Sequence, residues 1–155
     1  MKNVLIAAAA AVTLAATPAL ANDFTGPRIE ATAGYQDVTN NRTNLTYGAN
    51  AGYDIKVVGP VRAGVEVGVD NVFDRRNLNA GARLGLVLSS HALAYAKISY
   101  SNYRDINLVN LDGARFGGGL ELKIAGPVYT KVEYRHADFG GTKSNDAIAG
   151  IGVRF

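Results

Sequence analysis

Gly150-Ile151-Gly152-Val153-Arg154-Phe155 closes the chain with apolar side chains alternating against Gly or Arg. That period of two belongs to an extended strand with one apolar face and one small or polar face. Extended back to Asp146, the segment sets Ala147, Ala149, Ile151, Val153 and Phe155 against Asp146, Ile148, Gly150, Gly152 and Arg154.

Seven more segments keep the same period. Arg28 to Asp37 sets Ile29, Ala31, Ala33 and Tyr35 against Arg28, Glu30, Thr32, Gly34 and Gln36. Leu45 to Ile55 sets Leu45, Tyr47, Ala49, Ala51, Tyr53 and Ile55 against Thr46, Gly48, Asn50, Gly52 and Asp54. Val61 to Asp70 alternates Val or Ala with Arg62, Gly64, Glu66, Gly68 and Asp70. Leu78 to Leu88 alternates Leu or Ala with Asn79, Gly81, Arg83 and Gly85. Ala92 to Asn102 opposes Ala94, Ala96, Ile98 and Tyr100 to Tyr95, Lys97, Ser99 and Ser101. Ala114 to Ile124 opposes Phe116, Leu120 and Leu122 to Arg115, Gly117, Gly119, Glu121 and Lys123. Val128 to His136 opposes Val128, Val132 and Tyr134 to Tyr129, Lys131, Glu133 and Arg135.

Alternation alone also suits a soluble sandwich or a lipocalin-like barrel. The composition of the two faces separates these cases. Eleven of the 18 Gly fall on the polar face, beside charges of both signs. Glycine weakens a strand and has no use on a solvated outer face. Inside a narrow lumen it leaves room for long charged side chains. The apolar face carries no charge between strand ends, as expected where a midplane Lys or Arg costs about 2–4 kcal/mol. These faces predict an all-β fold, an eight-stranded antiparallel up-and-down transmembrane β-barrel.

The start of the chain supports this. Lys2, an Ala-rich apolar run from Val4 to Ala16, and small residues at Ala19 and Ala21 form an export signal. The run is too short to span about 30 Å of hydrocarbon as a helix. Residues 1–21 are therefore expected to be removed, leaving a single barrel domain over residues 22–155. The mature chain then has 15 basic and 13 acidic residues and no Cys. That near balance gives no reason to expect nucleic acid as a partner. The missing Cys excludes disulfides, thiolate metal sites and a thiol nucleophile, and no cofactor is expected.

Connections alternate in length. Lys56 to Pro60, Ser89 to His91 and Ala125 to Pro127 read as tight turns. Val38 to Asn44, Asn71 to Asn77, Tyr103 to Gly113 and Ala137 to Asn145 read as longer polar loops. Turns on one side and loops on the other are the outer-membrane arrangement. Gly26-Pro27, Gly59-Pro60 and Gly126-Pro127 form an internal repeat at the starts of upward strands, where proline's missing N–H is not needed. Tyr35, Tyr47, Tyr100, Phe116 and Tyr134 fall near the loop ends and Tyr53 near the turn ends, as an interfacial aromatic girdle would.

Val132-Glu133-Tyr134-Arg135-His136-Ala137-Asp138-Phe139-Gly140 resembles a stretch near the end of opacity-type and OmpA-like small outer-membrane barrels. Gly152-Val153-Arg154-Phe155 resembles the end of the same family, whose name often includes "porin". His136 stands where that family often has Tyr. The resemblance implies a location in the outer membrane of a Gram-negative bacterium. Its partners would be outer-membrane lipid and lipopolysaccharide, with transient contact to periplasmic chaperones and the barrel-assembly machinery. Phe155 resembles the terminal signal that this machinery reads. A peptidoglycan-tethering role is not expected, because nothing follows Phe155.

The lumen candidates are Arg28, Glu30, Arg62, Glu66, Arg83, Lys97, Arg115, Glu121, Lys123, Lys131, Glu133, Arg135 and Arg154, with Glu66, Arg83, Glu121 and Lys131 expected at the centre. Eight strands enclose just enough space for side chains to fill. The first expectation is a lumen plugged by crossed ion pairs in a monomeric, non-enzymatic barrel with a structural or surface-interaction role. That role would be envelope integrity or adhesion through the loops. The alternative is a narrow porin-like channel lined by the same charges. A more remote alternative is a hydrolase of lipid A acyl chains using a Ser-His pair, with His136 on the lipid face. That chemistry needs a Ser two positions after the His, where Asp138 stands; Ser144 is the nearby hydroxyl. Arg75-Arg76 could contact anionic lipopolysaccharide groups.

Overall fold

The computed structural model describes residues 23–38, 42–72, 75–104, 110–138 and 143–155. The signal-peptide expectation lies outside them, as do the side chains of Arg75 and Arg76. The strands are β1 Gly26–Val38, β2 Arg42–Val58, β3 Val61–Val72, β4 Arg75–Ser89, β5 Ala92–Arg104, β6 Asn110–Ala125, β7 Val128–Asp138 and β8 Lys143–Arg154. Each pairs antiparallel with its neighbours in sequence, and β1 pairs β8 to close the barrel.

The stagger follows from the register. A line drawn across the sheet from Arg154 passes Arg28, Gly52, Glu66, Gly81, Ser99, Arg115 and Ala137. It returns to β8 at Ser144, ten residues from its start. With about 3.3 Å per residue and about 4.8 Å between strands, that shear tilts the strands by about 40° at a backbone radius of about 8 Å.

The faces fall as the alternation requires. Val65, Leu84, Ile98, Leu120, Val132 and Ile151 are exposed on the outer wall, while Arg28, Glu66, Arg83, Glu121 and Arg154 are buried inside. The usual core is thus inverted, with polar groups within and apolar ones facing hydrocarbon. Tyr35, Tyr47, Tyr53, Tyr100, Phe116 and Tyr134 all project outward, each more than half exposed. Two of their hydroxyls find rim partners, Tyr47 accepting from Asn71 at 2.7 Å and Tyr134 donating to Asn145 at 2.9 Å.

The strand ends differ from the expected boundaries. Every loop-side end extends further than the alternation did. The loop expected from Tyr103 to Gly113 shrinks to the residues between Arg104 and Asn110, and that from Asn71 to Asn77 to the two between Val72 and Arg75. Side-chain patterning stops where the hydrocarbon stops. Backbone pairing does not, because each N–H and C=O still needs a partner. The Gly-Pro turns use the repeat's glycine for its freedom: Gly59 and Gly126 sit at φ 48° and 53°, directly before Pro60 and Pro127. A positive φ at the first turn residue matches the twist of the flanking strands.

Candidate functional site

The lumen holds the chemistry. On the turn side, Asp54 accepts from Arg28 Nε at 3.0 Å, Arg83 Nη2 at 2.5 Å and Arg154 Nη1 at 2.7 Å. Glu121 accepts from Arg83 Nη1 at 3.2 Å and Arg154 Nη2 at 2.6 Å. The three arginines come from β1, β4 and β8, so their guanidinium groups meet across the lumen rather than along a strand. Arg28 also reaches Glu66 at 2.8 Å and Glu30 at 3.4 Å.

At mid-height Lys97 bridges Glu66 and Glu133, each at 2.8 Å. Lys131 bridges Glu30 and Glu133. Two tyrosines rooted near the turn ends of β5 and β7 reach up to join: Tyr95 donates to Glu133 at 2.6 Å and Tyr129 to Glu30 at 2.9 Å. Toward the loops Arg135 links Glu133 at 2.5 Å to Asp70 at 3.2 Å. Arg115 reaches Asp70 at 3.0 Å and Asp146 at 3.9 Å. Among the described residues this network holds seven cations and seven carboxylates, all buried. Its formal charge is zero.

Glycine makes the packing possible. A Cβ on Gly52 would lie 2.6 Å from Arg28 Nη2, and one on Gly119 would lie 2.8 Å from the Tyr95 hydroxyl. On Gly152 it would lie 2.5 Å from the Tyr129 ring. Each of these large lumen side chains lies over a residue that has none.

A family model for the outer membrane protein beta-barrel domain matches residues 7–155. The chain belongs to this outer-membrane β-barrel family. It is a protein of the Gram-negative outer membrane. Solved structures of the same fold include Neisserial surface protein A, at 17% identity and a TM-score of 0.63, covering 84% of this chain and 98% of that one. The attachment invasion locus protein Ail of Yersinia pestis aligns at 10% identity and a TM-score of 0.60, covering 84% and 97%. The N-terminal β-barrel domain of Pseudomonas aeruginosa OprF aligns at 15% identity and a TM-score of 0.55, covering 84% and 99%. No curated protein matches the sequence.

Within this outer-membrane barrel, every expected lumen residue points inward, but not all meet as expected. Arg83 and Glu121 pair directly. Glu66 and Lys131 are joined only through other residues, and Glu121 sits near the turn end beside Asp54 and Arg154, not at the centre. The ten-residue stagger moves β6 relative to β3 and decides this. Arg62 stands apart from the central network, at the turn-side mouth, where its guanidinium binds Asp23 Oδ1 at 2.6 Å and the Asp23 carbonyl at 2.7 Å. Lys123 lies with its ammonium 4.4 Å from the centre of the Phe24 ring.

Asp54, Asp70, Asp146, Tyr95 and Tyr129 were not among the expected lumen partners. Their signal was present, since all fall on the polar face of the alternation. Ser144 lies in β8 rather than a loop, faces inward and donates to Asp146 at 2.8 Å. His136 faces outward and pairs through Nδ1 with Asn145 at 2.8 Å. The wall of the barrel therefore separates the two groups of the Ser-His alternative. Phe155 closes the barrel through its backbone N–H, which donates to the Pro27 carbonyl at 2.9 Å.

Proposed function

We propose that this barrel is a closed, non-conducting and non-enzymatic scaffold that serves the cell surface, holding its loop-side rim in the outer membrane. The balanced lumen network carries this reading. An ion-selective pore lined by charged side chains needs water and a charge left free to meet the ion, whereas here each carboxylate is engaged by cations from other strands. Removing one partner of a buried pair strands the other at about 3–5 kcal/mol, so the lumen charges resist separation. Neisserial surface protein A and the attachment invasion locus protein share the scaffold and bear names of surface exposure and attachment. Their likeness supports a surface role resting on the rim rather than the lumen. The wall would be covered by outer-membrane lipid, with lipopolysaccharide at the rim. The barrel would work as a monomer, delivered by periplasmic chaperones to the assembly machinery that reads Phe155.

Single-channel recording of the refolded protein in a planar bilayer tests this, with Glu66→Ala and Arg83→Ala beside it. The expected record is silent for the native chain. Discrete, ion-selective steps whose size changes with those substitutions would overturn the closed lumen.

A further inference from the structure

The residues just before β1 do not continue the strand direction. They turn into the barrel. Gly26 takes φ 97°, and a Cβ there would strike the Phe155 carbonyl, so the bend needs glycine. Phe24 follows the bend inward with φ 53°, a backbone conformation that a bulky residue adopts only when its surroundings hold it there. Its ring is 1% exposed. It packs on Leu93 and Tyr95 at the turn end of β5, with Val87 of β4 alongside and Lys123 of β6 over its face. In an eight-strand cycle β5 stands opposite β1, so these residues reach across the full mouth of the lumen. Asp23 is gripped on the way by Arg62 at 2.6 Å and by Lys56 at 3.6 Å.

We infer that Asp23 and Phe24 form an intramolecular stopper that seals the turn-side mouth of the lumen, with Arg62 as its latch and Gly26 as its hinge. The mouth presents an apolar seat, Leu93, below the charged central network, and Phe24 is the apolar side chain that fills it. Arg62 is buried yet stands outside the central network; the latch accounts for both facts.

The chain contains no Trp and no Cys, so both can be introduced as single probes. Phe24→Trp in the refolded barrel, with folding confirmed by heat-modifiable mobility, is read by quenching. A seated ring is shielded from aqueous acrylamide and from brominated lipid alike, and Arg62→Ala added to it raises acrylamide quenching severalfold. Quenching like that of free tryptophan amide, or quenching by brominated lipid, would overturn the stopper; shielding unchanged by Arg62→Ala would overturn the latch. A second readout keeps Phe24. Leu93→Cys is expected to react slowly with a membrane-impermeant maleimide, and severalfold faster once Phe24→Ala is added. Equal rates would also refute the seal. The inference shares the closed lumen with the proposed function but fails separately from it. A conducting barrel in which the introduced indole is shielded removes that reading and leaves the stopper. A silent barrel in which the indole is exposed does the reverse.

Discussion

The turn-side and loop-side halves of the lumen are built differently. On the turn side, Asp54 holds three guanidinium groups and Tyr95 and Tyr129 fill the gaps between charges. On the loop side the lining is Gln36, Thr46, Asn77, Asn79, Ser99 and Ser101, with Asp70, Arg115, Arg135 and Asp146 among them. Buried polar atoms without a protein partner occur in both halves: the Asn77 amide and the Ser101 hydroxyl on the loop side, Arg28 Nη2, Arg154 Nε and Lys123 Nζ on the turn side. The contrast teaches that charge pairing is densest at one end, where one carboxylate holds three arginines. Arginine clusters and aromatic rings fill the turn side, whereas on the loop side the ion pairs of Asp70 and Asp146 stand among small neutral side chains.

Substitutions can break or sharpen this contrast. Asp54→Ala should have the largest effect, since it strands three arginines at once; removing one partner of a buried pair costs about 3–5 kcal/mol. Urea unfolding in lipid vesicles, followed by circular dichroism, should show it or show no assembly at all. Asp54→Ala behaving like Ser101→Ala would erase the distinction between the halves. Val65→Arg, one residue from Glu66 but on the lipid side, should cost about 2–4 kcal/mol in the same assay. Normal assembly of that variant would refute the face assignment. Gly152→Leu should cost about 1–3 kcal/mol by driving a side chain into Tyr129. Ser101→Ala should cost less than a made hydrogen bond contributes, about 0.5–1.5 kcal/mol, because the hydroxyl it removes bonds no protein group. A large loss there would mean that the loop side is as tightly bonded as the turn side.

How far these halves were legible in the sequence depends on the kind of information each needed. The faces were legible, because a period of two allocates every side chain once one residue is placed. Val65 and Glu66, adjacent in the alternation, fall on opposite sides by position alone. The partners were not, because the pairing of Arg83 with Asp54 and Glu121 depends on a stagger that only closure of β1 on β8 determines. Asp54 stood in plain view on the polar face, but nothing local marks it as the carboxylate that three strands share. Strand ends such as Arg104 and Asn110 were missed because pairing outlasts the apolar pattern. Phe24 was missed for another reason. It lies outside every alternating segment, and its place depends on the positive φ of Gly26 and on Leu93, four strands further along the chain.

The junction of β1 with β8 bears on how the molecule comes together in time. Arg28 arrives on the first strand, Arg154 on the last, and the Asp54 that binds both on the second. Until the two terminal strands meet, β8 lies six strands from β2 along the sheet and Arg154 has no route to Asp54, so the open sheet must keep these charges hydrated. Zipping β8 onto β1 thus expels water, closes the edge and completes the ion pairs in one event. Late insertion should therefore look abrupt, with little accumulation of a nearly closed species.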